Sequence, residues 1–290
     1  MHARSSVDLS GPGGPTVAPN ALERQGQHLR VADNAASRTI ATILRHDAKV
    51  TSYKLALIRA VNDVVLSFPD AGSHDQPIAI PLRVLAEYWL AYYWPFADPR
   101  APISQGPRSL RNGTLANDMA FRPALTALRQ AWQEVVGETV RPSDGFFLIN
   151  EFRVARRREG YPLKLRRAFG LAVSTVARSI EQPIHYAGPG EWGVFSRPVA
   201  YAALADRAVA IPGTSAADRC VVVGRDLWDG FLDLSLWVER SASTSGRCSP
   251  NQLRNPLGWL CAAVTSTRCS RTAPITDGRW TGSAIRSTCC

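Results

Sequence analysis

The feature that most limits what this chain can fold into is a break in residue usage immediately after Arg240. Residues 241–290 contain no Lys, Glu, His, Met, Phe or Tyr, and Asp277 is their only acid. They hold fifteen Ser or Thr, six Arg and five of the six cysteines: Cys248, Cys261, Cys269, Cys289 and Cys290. A segment of this composition does not read as a normal domain and is expected to be an aberrant, unstructured tail. Core formation therefore falls to the residues before the break, which carry the aromatic residues and amphipathic stretches of an ordinary folded protein.

The break also changes what the net charge means. The chain carries +10 formally, yet residues 1–240 hold 28 bases against 23 acids, while the last fifty hold six against one. Half of the basicity thus belongs to the tail, and the folded part is only mildly basic, which permits nucleic-acid binding without demonstrating it. No run of apolar residues is long enough to suggest a membrane span. Met1–Asn20 lacks the apolar centre of a secretory signal, and its Gly11-Pro12-Gly13-Gly14-Pro15 run contributes to an expected disordered N-terminus over residues 1–36. Lys49, Lys54 and Lys164 are the only lysines among 34 basic residues, a usage that fits GC-rich coding in a bacterium. A cytoplasmic location without disulfides is the expectation.

Periodicity predicts a mainly α protein with a small β element, an α+β chain whose mostly helical region covers residues 37–240. Helices are expected at Ser37–His46, at Tyr53–Phe68 behind a cap from Thr51 or Ser52, and at Leu82–Tyr93, which opens at Pro81 and stops before Pro95. Asp98–Gly113 reads as a loop and Leu115–Val136 as a long helix with Phe121, Leu125, Leu128, Trp132 and Val135 on one side. Ser143 or Asp144 caps a segment reaching Arg158, and Pro162 opens Leu163–Ile180. Short strands are expected at Pro183–Tyr186, Gly193–Phe195, Val209–Ile211 and Val221–Val223, ahead of a last helix at Asp226–Arg240. No internal repeat is visible.

A search for chemistry returns few candidates. There is no phosphate-binding glycine loop and no pair of histidines on one helix face. Cys220 is the only cysteine before the break, so no Cys/His set in the body forms a metal site, and the tail cysteines lack the usual paired spacing. His185 sits in an expected strand and reads as a structural histidine. The aromatic run Tyr88-Trp89-Leu90-Ala91-Tyr92-Tyr93-Trp94-Pro95-Phe96 has helical spacing and reads as core rather than as a base-stacking surface. One cluster remains: Arg153, Arg156, Arg157, Arg158, Lys164, Arg166 and Arg167, with Tyr161 and Pro162 between. Either these residues lie against a phosphate backbone, or they form a solvated face partly paired with Glu151 and Glu159.

Three longer segments carry a resemblance. They are Thr51-Ser-Tyr-Lys-Leu-Ala-Leu-Ile-Arg-Ala-Val-Asn-Asp63, Ala86-Glu-Tyr-Trp-Leu-Ala-Tyr-Tyr-Trp-Pro-Phe96 and Asn117-Asp-Met-Ala-Phe-Arg-Pro-Ala-Leu125. Gln182-Pro-Ile-His-Tyr-Ala-Gly-Pro189 and Asp226-Leu-Trp228 extend it, so that the span from about Arg45 to Arg240 resembles the N-terminal region of bacterial HNH endonuclease-like proteins. The resemblance implies a nuclease further towards the C-terminus, a ββα-metal module in which an Asp-His pair and later Asn and His residues bind a divalent ion and activate water. No histidine follows His185, so no catalytic, metal-binding or cofactor-binding residue carries over, and the divalent metal belongs only to the missing module.

The tail permits a different text in a shifted frame. Taking each wobble base with the first two bases of the next codon, residues 241–249 allow Cys-Ile-His-Glu-Trp-Ser-Leu-Phe. Residues 263–290 allow a longer, acid-richer text similar to what the family has after the position of Arg240. A frameshift near codon 240 is the resulting expectation. The chain is then expected to be a truncated HNH endonuclease-like protein without nuclease activity, keeping a region that positions DNA. A helical protein-interaction or regulatory module that never touches DNA stands as the alternative, and an unstable remnant as a third. DNA is the candidate partner, no membrane is expected, and a protein partner is unspecified.

Overall fold

The structure, a computed structural model, describes residues 35–45, 52–73, 75–100, 110–111, 114–115, 118–137, 139–188 and 190–244. Its helices are α1 (Ala35–Arg45), α2 (Tyr53–Ser67), α3 (Leu82–Tyr93), α4 (Arg122–Val136), α5 (Asp144–Arg153), α6 (Ala155–Glu159), α7 (Leu163–His185) and α8 (Arg225–Thr244). Its strands are β1 (Ile78–Pro81), β2 (Leu110–Arg111), β3 (Thr114–Leu115), β4 (Val199–Ala200), β5 (Val209–Ala210) and β6 (Arg219–Val223). The chain is α+β, as its periodicity indicates: helices carry most of the core, and one four-stranded sheet runs in the order β4-β6-β1-β5.

The centre of the molecule is α3. A surface helix shows one apolar stripe, whereas a helix apolar on all sides belongs inside. Every residue of α3 except Arg83 is buried, and α2, α5 and α7 pack around it. The aromatic run therefore forms core: Trp89, Tyr92, Tyr93, Trp94 and Phe96 are each fully buried. Tyr93 packs edge-on to Phe121 at 5.2 Å between centroids, and its hydroxyl lies 2.7 Å from that of Ser52. Ser52 makes no side-chain cap bond to α2, so the expected capping role is replaced by this tertiary contact. Gly145 lets α5 cross α3 closely, because a Cβ there would lie 2.8 Å from the Trp94 Cβ and 3.0 Å from the Ala91 Cα.

Several expected elements are corrected. Pro81 is the last residue of β1 and the N-cap of α3, with an extended ψ of 133°, rather than its first helical residue. Periodicity predicts no strand at β1, yet this strand joins the sheet's two halves: Ile78–Pro81 pairs antiparallel with Val223–Cys220, and Ile78 and Ala79 pair parallel with Val209 and Ala210. The helix expected at Leu82–Tyr93 has those bounds and stops before Pro95, with a 3-10 turn following at Trp94–Ala97. Leu115 lies in strand β3, so the helix expected from Leu115 begins at Arg122, with proline in its first turn. The segment expected to run to Arg158 breaks at Val154 (φ −95°, ψ 110°) into α5 and α6.

The expected strand at Pro183–Tyr186 is instead the end of α7. Ile180 and Ile184 lie four residues apart and are both fully buried, so the helical period outlasts Pro183. Gly193–Phe195 forms bends rather than a strand, while β5 and β6 match the expected Val209–Ile211 and Val221–Val223 within a residue or two. Ala35 and Ala36, expected in a disordered start, belong to α1; residues 1–34 lie outside the described residues. At the other boundary α8 crosses Arg240 and continues to Thr244, so the change in composition is not a change in backbone conformation; residues 245–290 lie outside the description. Val238 anchors this helix at 1 % exposure, and α8 packs on α1 and α2.

Candidate nucleic-acid interface

The seven basic residues singled out in the sequence lie on one continuous elbow. Arg153 closes α5, Val154 breaks the helix, Arg156, Arg157 and Arg158 ride on α6, and Lys164, Arg166 and Arg167 open α7 after Pro162. The turn is built from local bonds: the amides of Arg157 and Arg158 both donate to the Val154 carbonyl, at 3.0 and 2.9 Å, and the Tyr161 amide donates to the Arg158 carbonyl at 3.2 Å. Pro162, with φ −56° and ψ 145°, sets the chain direction into α7.

Aromatic rings hold the elbow to the core. Phe152 stacks on Phe169 at 4.2 Å and on Tyr161 at 5.5 Å, and Tyr161 in turn lies 6.1 Å from Trp132 of α4. The Tyr161 hydroxyl donates to Glu151 at 3.2 Å; burial and this neighbouring carboxylate push its pKa up to about 12. The Trp132 indole donates to Asp144 at 2.9 Å, tying α4 to the start of α5. The basic side chains are thus mounted on a packed platform.

Their pairing divides the cluster. Arg153 donates to Glu87 of α3 at 2.8 Å and lies over the Tyr88 ring at 5.0 Å. Burial pushes the Glu87 carboxyl above the usual carboxylate range, and the charge of Arg153 offsets only part of that. Arg157 donates to Glu151 at 3.2 Å, and Lys164 reaches Glu134 of α4 at 2.6 Å. Exposed pairs of this kind contribute little to stability. Arg156, Arg158 and Arg167 are exposed and pair with no acid among the described residues. Arg166 is half-buried, and its Nε is enclosed without a hydrogen-bond partner. Glu159, the acid inside α6, forms no ion pair with them among the described residues.

Three members of the cluster are thus paired with acids, and three are exposed and unpaired among the described residues. Sequence reasoning named Glu151 as a pairing acid but missed Glu87 and Glu134, which come from α3 and α4. Nothing in the sequence connects Glu87 to Arg153 across 66 residues, and only the packing of α5 on α3 brings them together.

Among the described residues no group of three or more His, Cys, Asp or Glu stands where it would hold a metal ion. His185 is at the C-terminal end of α7, not in a strand. Its ring lies between Tyr186 at 4.2 Å and Trp192 at 4.4 Å, with Nε2 3.1 Å from Glu191. Cys220 is fully buried in β6, and burial together with Asp218 raises its thiol pKa to about 11. No described helix is long and apolar enough to cross a membrane.

A family model described as a domain of unknown function, DUF8808, matches residues 33–244. No curated protein and no solved structure matches the chain.

Proposed function

We propose, for a chain that belongs to the DUF8808 family, that residues 37–240 form the DNA-positioning region of an HNH endonuclease-like protein and that this polypeptide has no nuclease activity of its own. One observation carries the reading: Arg156, Arg158 and Arg167 are exposed and unpaired on an elbow that aromatic packing holds in place. Arginine forks presented on a fixed platform suit the spaced charges of a phosphate backbone, where contacts position the duplex without reading its sequence. A cytoplasmic location goes with this role.

The test is a salt-dependent electrophoretic shift of duplex DNA. Each phosphate contact contributes about −0.9 to the slope of log K against log salt, so replacing Arg156, Arg158 and Arg167 by alanine is expected to flatten it by about 2.7. Absence of any shift by the unaltered chain at low salt overturns the proposal. Incubation of the duplex with a divalent ion is expected to leave it uncut.

The frameshift is part of the same proposal. The family match ends at residue 244, four residues beyond the compositional break, which supports treating residues 245–290 as foreign to the family. Resequencing the gene across codon 240 tests it, and an intact frame through the tail in close relatives overturns it. A second reading, a protein-interaction module, is favoured by large apolar side chains that stay exposed, Leu236 at 77 % and Leu171 at 56 %. Binding to a protein partner with no DNA shift at low salt selects that reading.

A further inference from the structure

We infer that the anion-binding surface does not end at the elbow but runs the full length of α7 to Arg178 and Arg197, and that its partner is the backbone of a duplex spanning a whole helical turn. This rests on the DNA-positioning reading and extends it.

At 1.5 Å per residue, the 23 residues of α7 span about 34 Å, the length of one turn of B-form DNA. Arg167 and Arg178 are eleven residues apart, which places them about 16 Å apart along the axis and about 20° apart around it. Both are exposed, and Arg178 donates to the Thr175 hydroxyl at 3.2 Å and pairs with no acid among the described residues. Between them Gly170 and Ser174 are exposed, a Cβ at Gly170 would meet nothing within 4 Å, and Leu171 is 56 % exposed beside them.

At the far end, Arg219 of β6 binds Glu181 of α7 and also donates to the Pro198 carbonyl at 3.2 Å. That contact brings the neighbouring Arg197 to the C-terminal part of α7, where it is exposed and pairs with no acid among the described residues. Glu181 is the only acid in α7, and Arg219 neutralises it. The exposed side of α7 therefore presents unpaired cations near its start and at Arg178, with Arg197 beside its C-terminal part, and the helix's own single carboxylate is held by Arg219. An acidic protein helix is the competing occupant; the match in length to one duplex turn favours DNA.

The experiment compares the full-length chain with its Arg178→Ala/Arg197→Ala variant in salt titrations on a duplex of about 20 base pairs. Because the rest of the chain is the same in both, the difference in slope isolates these two side chains. The expected result is retained binding at low salt and a slope flatter by about 1.8, equal to an affinity about twelvefold less sensitive to a change from 50 to 200 mM salt. Thermal unfolding of the variant is expected to match that of the unaltered chain, since both side chains are exposed. An unchanged slope, while the unaltered chain still shifts DNA and the elbow variant weakens it, overturns the extension and leaves the elbow standing. No shift by the unaltered chain overturns the underlying reading instead. Poly-glutamate binding that exceeds duplex binding and is lost in the variant also overturns this inference, by assigning the surface to acidic protein.

Discussion

Replacing Phe152 by alanine tests whether the basic elbow is truly anchored. Phe152 is 3 % exposed and sits between Phe169 at 4.2 Å and Tyr161 at 5.5 Å, with both ring pairs close to parallel. Removing a buried phenyl ring costs about 3–5 kcal/mol, from lost transfer energy and from the cavity left behind. The upper half of that range applies if Phe169 and Tyr161, held by α7 and its preceding turn, fail to collapse into the space. For a domain of about 200 residues each kcal/mol shifts the midpoint by roughly 2–4 °C, so the variant is expected to melt about 6–20 °C lower. Set against a total stability of about 5–15 kcal/mol, this is a large share, so the unaltered chain's unfolding free energy is measured alongside. Circular dichroism under heat or urea measures the loss. Phe147→Ala is the internal control, because that ring packs on an aromatic neighbour, Trp132, but is 47 % exposed, so its removal is expected to cost less than half as much. A Phe152→Ala loss below about 1 kcal/mol, the size of a surface substitution, refutes the anchoring argument.

Gly145→Ala places a methyl group 2.8 Å from Trp94 and 3.0 Å from the Ala91 backbone, an overpacking expected to cost about 1–3 kcal/mol in urea unfolding. Asp218 is expected to impose a pH-dependent stability. Burial alone would raise its pKa, but hydrogen bonds from Arg83 and from the Ser215 amide outweigh that and hold it below the usual value of 3.8. A depressed carboxylate stabilises the fold above its unfolded pKa and loses that contribution as pH falls through the lower folded value. Asp218→Asn is therefore expected to be less stable than the unaltered chain at pH 7, with a gap that narrows steadily below pH 4 in thermal melts.

The helical framework is legible because its signals are local. The stripe of α4, the proline ahead of α7 and the all-round apolar α3 each specify a helix without reference to the rest of the chain. The elements that escape a sequence reading depend on distant partners. Ile78-Ala-Ile-Pro81 is too short to declare itself, and it becomes a strand only because Val221–Val223 and Val209 arrive from more than a hundred residues away. Pro183-Ile-His-Tyr186 carries a proline and a β-branched residue, which suggests a strand, yet Ile184 continues the buried row of Val176 and Ile180 and tertiary packing keeps the helix. The same division runs through the candidate interface. Seven clustered bases are visible in the sequence, whereas the acids that neutralise Arg153 and Lys164 come from α3 and α4.

The tail supplies the sharpest control on where positive charge acts. Its six arginines and single acid give it as much net charge as the whole of residues 1–240, so it can mimic a DNA-binding site in any assay on the full chain. At about −0.9 per phosphate, six tail contacts alone would steepen the salt slope by about 5, more than the elbow's three free arginines. Ending the chain after Thr244 separates the two. The cut retains the whole family match and leaves every described buried residue in place, including Val238 near the end of α8. The melting temperature of the shortened chain is therefore expected to stay within a few degrees of the original. Its slope is expected to flatten but remain clearly negative, and Arg156→Ala/Arg158→Ala/Arg167→Ala introduced into it should flatten the slope by the same increment as in the full chain. A shortened chain that melts normally yet shifts no DNA at low salt would mean that the tail alone binds, and the elbow would then be a solvated face.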